Sequence, residues 1–136
     1  MSFSIQTEPL VASAPDASPS SGACVAFEGR VRNHNDGKPV QSLEYEAFEE
    51  LAVPIGLKIL EKARGRFEIE SATCVHRVGS LAIGDIAIRV EVHAAHRKAA
   101  FEACAWIVDE VKRQVPIWKK EFYEGGGSVW IDPTGG

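Results

Sequence analysis

Residues Ile86 to His93 alternate cleanly, with Ile86, Ile88, Val90 and Val92 on one side and Ala87, Arg89, Glu91 and His93 on the other. A period of two fits a half-buried strand and excludes an amphipathic helix. Soon after, from about Arg97 to Gln114, the period becomes helical. Phe101, Ala105 and Val108 form one stripe, with Ala100, Cys104, Ile107 and Val111 alongside. A strand with one apolar face followed by a helix with an apolar stripe constrains the chain to pack helices on a sheet.

The flanking segments decide which kind of sheet. Phe3 to Glu8 alternates and predicts a short strand; residues 9 to 22, rich in Pro, Ser and Ala, predict a mobile connection. Ala23 to Arg32 reads as a strand with a bulge at Gly29, Asn33 to Gly37 as a turn, and Val40 to Phe48 as the return strand, with Leu43 and Tyr45 on one face. Glu49 to Arg64 predicts a helix with Ile55, Ile59, Leu60 and Ala63 inward, Pro54 in its first turn and Gly65 ending it. Phe67 to Val78 reads as a strand and Gly79 to Asp85 as a loop. Trp118 to Tyr123 and Ser128 to Ile131 form a hairpin across Gly125-Gly126-Gly127, and residues 132–136 form a flexible tail. Strands and helices are mixed rather than strictly alternating. The expected class is therefore α+β: a mainly antiparallel sheet, two main helices and a C-terminal hairpin, in one domain over residues 1–136.

A chain of 136 residues buries roughly two thirds of its unfolded surface, enough for a core without disulfides or metal. Net charge is −4, which argues against a general nucleic-acid surface, so any cationic chemistry must be local. The cysteines Cys24, Cys74 and Cys104 are odd in number, widely spaced and set among apolar neighbours; they read as reduced, buried thiols. No apolar run reaches membrane-span length, and no basic segment precedes an apolar one at the N-terminus. The expectation is a cytoplasmic protein without membrane contact.

Local cations are present in three places. Arg30 and Arg32 share a strand face beside an Asn-rich turn, where they can clamp a phosphate or carboxylate or simply form a solvated charged face. His96 and Arg97 stand at a helix start, where free N–H groups favour an anion and where cations are otherwise mildly unfavourable. Lys112 prolongs the stripe Phe101, Ala105, Val108, either snorkelling to water or held in a pocket. Lys119 follows in Pro116-Ile117-Trp118-Lys119-Lys120-Glu121. Burial and a neighbouring ammonium favour a neutral amine, so either lysine can act as base or nucleophile, and Glu121 shares the face of Lys119 to set the charge balance. His93 and His96 are three residues apart, but no cysteine or carboxylate cluster completes a metal site in the sequence; neither metal nor cofactor is expected.

As a set, these motifs resemble the large, catalytic subunit of molybdopterin synthase. The resemblance runs through Phe27-Glu28-Gly29-Arg30-Val31-Arg32-Asn33-His34-Asn35, His76-Arg77-Val78-Gly79 with Gly84-Asp85, Ala95-His96-Arg97, Lys112, Pro116 to Glu121, and Gly127 with Trp130. It covers about residues 23 to 131. It implies an α/β-hammerhead fold and sulfur transfer from the C-terminal thiocarboxylate of a ubiquitin-like carrier subunit to cyclic pyranopterin monophosphate, forming the molybdopterin dithiolene. It further implies that Lys119 and Lys112 are catalytic, that Arg32, His96 and Arg97 hold the phosphate, and that Phe27 lines the pocket. The assembly would be a homodimer core within a heterotetramer. The other readings are a non-catalytic anion-binding or scaffold subunit of the same kind of complex, which would need Arg32 and Arg97 but not Lys112, and an unrelated phosphate-ester enzyme.

Overall fold

The computed structural model describes residues 1–10 and 18–131. In chain order the elements are β1 (Ser2–Gln6), β2 (Ala23–Arg30), β3 (His34–Asn35), β4 (Lys38–Ala47), α1 (Glu49–Arg66), β5 (Ser71–Arg77), β6 (Gly79–Ala82), β7 (Ile86–Ala94), α2 (Arg97–Gln114), β8 (Ile117–Tyr123) and β9 (Ser128–Ile131). The class is α+β, as the mixed periodicities predict. Most of the expected connection between β1 and β2, residues 11–17, and the tail at 132–136 lie outside the described residues.

Two sheets form. The first has the order β1-β5-β7-β2, with β1 parallel to β5 and the other neighbours antiparallel. Helices α1 and α2 cover one of its faces. The even positions of β7, Ile88, Val90, Val92 and Ala94, meet Ile59, Leu60 and Ala63 of α1 and Ala100, Cys104, Ile107 and Val111 of α2 in one core. The alternation therefore sets the register, because a slip of one residue would turn Arg89, Glu91 and His93 into this core. Gly56 of α1 lies where a Cβ would run into the Phe3 ring, so β1 and α1 approach through a missing side chain.

The second sheet has the order β3-β4-β8-β9, with β6 also paired to β4. It closes a smaller core of Val31, Val40, Leu43, Leu81 and Ala87. Asp36 and Gly37 both have positive φ, 50° and 75°, which suits the two-residue hairpin joining β3 to β4.

Several boundaries differ from the sequence expectation. β4 returns not onto β2 but into the second sheet, between β8 on one edge and β3 and β6 on the other. The segment expected as a loop from Gly79 contains β6, which has no alternation to reveal it; Leu81 alone plugs the second core while the backbone pairs with Ser42 to Tyr45. Gly65 does not stop α1. The helix runs on to Arg66, and extended Phe67 closes it, donating its N–H to the Ala63 carbonyl at 2.8 Å. Pro54 sits within the helix rather than in its first turn. It is exposed, so the carbonyl one turn back can turn to water. Residues 67–70 connect α1 to β5 rather than extending the strand.

Candidate active site

The last turn of α2 points toward the line where the two sheets meet. There a cavity of about 350 Å³ opens between them. Phe27, Gly29 and Arg30 come to it from β2, Arg32 from the segment after β2, Tyr45 from β4, His76 from β5, Ala87 and Ile88 from β7, Lys112 from α2, and Ile117 and Lys119 from β8. The bulge between Gly29 and Arg30 shifts the register against β7 just before Arg32. A Cβ on Gly29 would come within 2.7 Å of the Ile88 methyl, so this wall of the cavity requires glycine or a displaced Ile88.

Cations dominate the cavity. Lys119 is half-buried, and its pKa is lowered, first by burial; the Glu121 carboxylate opposes this, while the charges of Lys112 and Arg32 add to it. Three of the cations singled out from sequence therefore act on one another at one place. Glu121 does not line the cavity. It is buried behind it, its Oε1 accepting from Asn35 Nδ2 at 2.8 Å and from Tyr123 Oη at 3.1 Å. Its influence on Lys119 is electrostatic, its carboxylate favouring the charged amine.

Two lining residues were given no role in the site from the sequence: Tyr45, read only as part of one face of a strand, and His76, named only within a motif. Tyr45 stands opposite Lys119 in the β4–β8 register, and burial together with Glu121 pushes its phenol up to about 12. Its ring meets that of His76 edge-on, with centroids 5.0 Å apart. His76 is buried and its pKa falls to about 4, first through burial, with Lys112 adding to the fall. Its Nδ1 lies 2.8 Å from the Arg77 carbonyl. A carbonyl only accepts, so Nδ1 carries the proton and the neutral ring keeps a lone pair on Nε2. The available signal was the inward register of β5, where Ala72, Cys74 and His76 are buried and the histidine is the polar member. Arg77 of the same motif is structural: it pairs with Asp85 at 2.9 Å and reaches the Thr7 carbonyl at 3.1 Å, holding the turn around β6.

Lys112 requires a correction. The core-facing stripe of α2 is Ala100, Ala103, Cys104, Ile107 and Val111, whereas Phe101 and Ala105 are exposed and Val108 is half-buried. Lys112 thus prolongs a surface stripe, and its exposed side chain stands at the cavity mouth. His96 and Arg97 do not join this cavity. They stand at the opposite end of α2, with His96 as its N-cap and no acidic residue in the first turn. His96 lines a separate hollow with Arg66, Glu70 and Glu102.

The cysteines also depart from expectation. Cys74 and Cys104 are buried free thiols, but Cys24 is exposed. Nor is His93 without partners of metal-binding type, since Cys24 and Glu91 place ligand atoms within 4.8 Å of it. Strand pairing, not sequence spacing, brings these three together. Among the described residues, no helix is long and apolar enough to cross a membrane.

Comparison with known proteins identifies the family and the fold. Residues 4–114 match the family described as MoaE protein. The molybdopterin synthase catalytic subunit of Pyrococcus abyssi is 47% identical over 116 residues, covering 85% of this chain and 78% of its own length. That of Thermoplasma volcanium is 40% identical over 112 residues, covering 82% of each. The crystal structure of molybdopterin synthase from Staphylococcus aureus superimposes with a TM-score of 0.85 at 34% identity, covering 93% of this chain and 94% of that one. Lys119 lies just beyond the family-matched span, so its assignment rests on its place in the cavity. On sequence and fold together, this chain belongs to the MoaE protein family.

Proposed function

We propose that the chain is the catalytic subunit of a molybdopterin synthase. In this reading it transfers sulfur from the C-terminal thiocarboxylate of a ubiquitin-like carrier subunit to cyclic pyranopterin monophosphate, in two successive transfers that leave the dithiolene of molybdopterin. The observation that carries the reading is the convergence of Lys119, Lys112 and Arg32 on one cavity in a chain of net charge −4. The phosphate ester and the thiocarboxylate are both anions. Gathering them in one partly enclosed space requires fixed cations aimed at the charge, which are worth more there than in open water.

The residues divide the work. Arg32 suits the phosphate, since a guanidinium can pair two oxygens at once. Lys119 is the residue best placed for proton transfer, because burial and the neighbouring cations ease loss of its proton while Glu121 restrains it. Lys112 at the mouth meets the incoming carrier terminus. Phe27 and the Tyr45–His76 pair give apolar and aromatic walls for a flat pterin. The lysine pair favours this reading over a scaffold, which would need an anion clamp only.

The carrier docks tail-first, because a terminal thiocarboxylate reacts only where its chain end reaches the pterin. His96 and Arg97 serve the cavity of a second copy of the chain in a two-fold homodimer, forming the core of a heterotetramer. Residues 1–136 act as one catalytic domain, and the free thiols support work in the reducing cytoplasm. The test is reconstitution: purified chain, thiocarboxylated carrier and the cyclic pterin, followed for dithiolene formation. Dithiolene that appears only with all three components bears the proposal out. Tight binding of carrier and pterin without product would leave the scaffold reading in its place.

A further inference from the structure

The face of the first sheet turned away from the helices is polar. Cys24 lies opposite His93 and Ala26 opposite Glu91 in the β2–β7 register, so Cys24, Glu91 and His93 project from that same face. Their ligand atoms converge. Cys24 Sγ is 3.4 Å from Glu91 Oε1 and 3.7 Å from His93 Nε2, and His93 Nε2 is 3.1 Å from the same Oε1. A tetrahedral zinc ion, with bonds of about 2.3 Å to sulfur and about 2.0–2.1 Å to nitrogen and oxygen, sets ligand–ligand edges of about 3.5 Å to sulfur and about 3.4 Å between nitrogen and oxygen. Each observed edge lies within about 0.3 Å of that geometry.

The surroundings fit as well. Glu91 divides its oxygens: Oε1 faces the cysteine and histidine, while Oε2 accepts from Arg89 Nη1 at 3.0 Å. A carboxylate whose second oxygen is fixed this way is already oriented as a ligand. The Glu91 side chain is only 8% exposed, whereas Cys24 lies exposed on the edge strand, which gives an ion a way in. We propose that Cys24, Glu91 and His93 form a three-ligand site for a divalent ion of the zinc class, separate from the cationic cavity. Mixed sulfur, nitrogen and oxygen donors select zinc or cobalt over magnesium or calcium. On binding, the thiol proton leaves to solvent, the imidazole proton moves to Nδ1, and thiolate and carboxylate offset the ion's two charges. The ion then joins edge strand β2 to β7 three residues before Phe27, stiffening the wall that carries Gly29 and Arg30 into the cavity.

Cobalt(II) is the probe, added to the chelator-treated full chain. The expected result is saturation at one equivalent, with a thiolate-to-cobalt charge-transfer band and the intense visible bands of a four-coordinate ion, both displaced by zinc. Cys24→Ser, a small change at an exposed position, removes the charge-transfer band and weakens binding on the order of a hundredfold. His93→Ala weakens it comparably, and both variants keep the wild-type circular dichroism. Absence of a saturable band in the wild type overturns the proposal. So does a band that persists undiminished in Cys24→Ser and His93→Ala, which would place the ion elsewhere.

Discussion

Lys119 is held part-way out of water beside Lys112 and Arg32, and each of these facts makes its proton easier to lose. Truncating it removes both a charge and a proton carrier from the cavity. Lys119→Ala should therefore lower single-turnover dithiolene formation on the order of a hundredfold or more while leaving the circular dichroism unchanged; a folded variant with full activity removes the catalytic assignment. His76 carries a different liability. Its pKa is about 4 in the fold against 6.5 as the reference. The unfolded chain thus binds the extra proton first, so this contribution to stability is complete above pH 6.5 and is lost progressively as pH falls toward 4. The full span corresponds to about 3 kcal/mol. Denaturant unfolding measured across that range should show a steeper acid loss in the wild type than in His76→Gln. Parallel curves would mean that His76 charges as readily in the fold as outside it.

At the scale of elements, the contact between β1 and α1 depends on one absent methyl group. Gly56 is an unfavourable residue for a helix interior, and alanine there would gain up to about 1 kcal/mol in propensity. The Cβ, however, would run into the Phe3 ring, which is buried between the sheet and α1. Overpacking costs about 1–3 kcal/mol, so the steric term should win and Gly56→Ala should lower the unfolding midpoint; an unchanged or raised midpoint would mean that Phe3 moves aside freely. The same contrast between local pattern and distant contact explains what could be read in advance. β7, α2 and the β8–β9 hairpin carry their signals within themselves, as clean alternation, helical stripe and glycine run. β6 carries a single apolar residue and becomes a strand only because β4 is there to pair with it. In the site, Lys119 and Arg32 were singled out from their motifs and do line the cavity, whereas Lys112 lines it although the stripe that drew attention to it lies on the surface. Tyr45 was not singled out, and His76 was named in a motif but given no role, because a half-buried tyrosine and an inward histidine look like ordinary strand residues until the two sheets bring them to one cavity. The cluster of Cys24, Glu91 and His93 was hidden for a similar reason, since Cys24 is separated from the other two by most of the first sheet's connections and meets them only through strand register.

For the whole molecule, α2 is the axis on which the functional groups are spread. Arg97 begins it and Lys112 closes its last turn, fifteen residues later, a rise of roughly 22 Å. One small phosphorylated pterin cannot touch both within a single chain. Phe101, 61% exposed, lies on α2 between them, and β2 leaves an edge of the first sheet open beside the cavity. In the two-fold homodimer proposed above, the start of α2 in one protomer would lie toward the end of α2 in its partner. In that proposed arrangement His96 and Arg97 would complete a cavity whose Lys112, Lys119 and Arg32 belong to the other chain. Arg97→Ala should fold at least as well as the wild type, because it removes a cation from the positive end of a helix dipole. Alone, Arg97→Ala and Lys112→Ala should each be inactive. Unfolded together and refolded, they should recover about a quarter of the wild-type rate, since half the dimers are mixed and each mixed dimer holds one intact cavity. A site built within one chain would carry a lesion in every copy, and the mixture would stay as inactive as its parents.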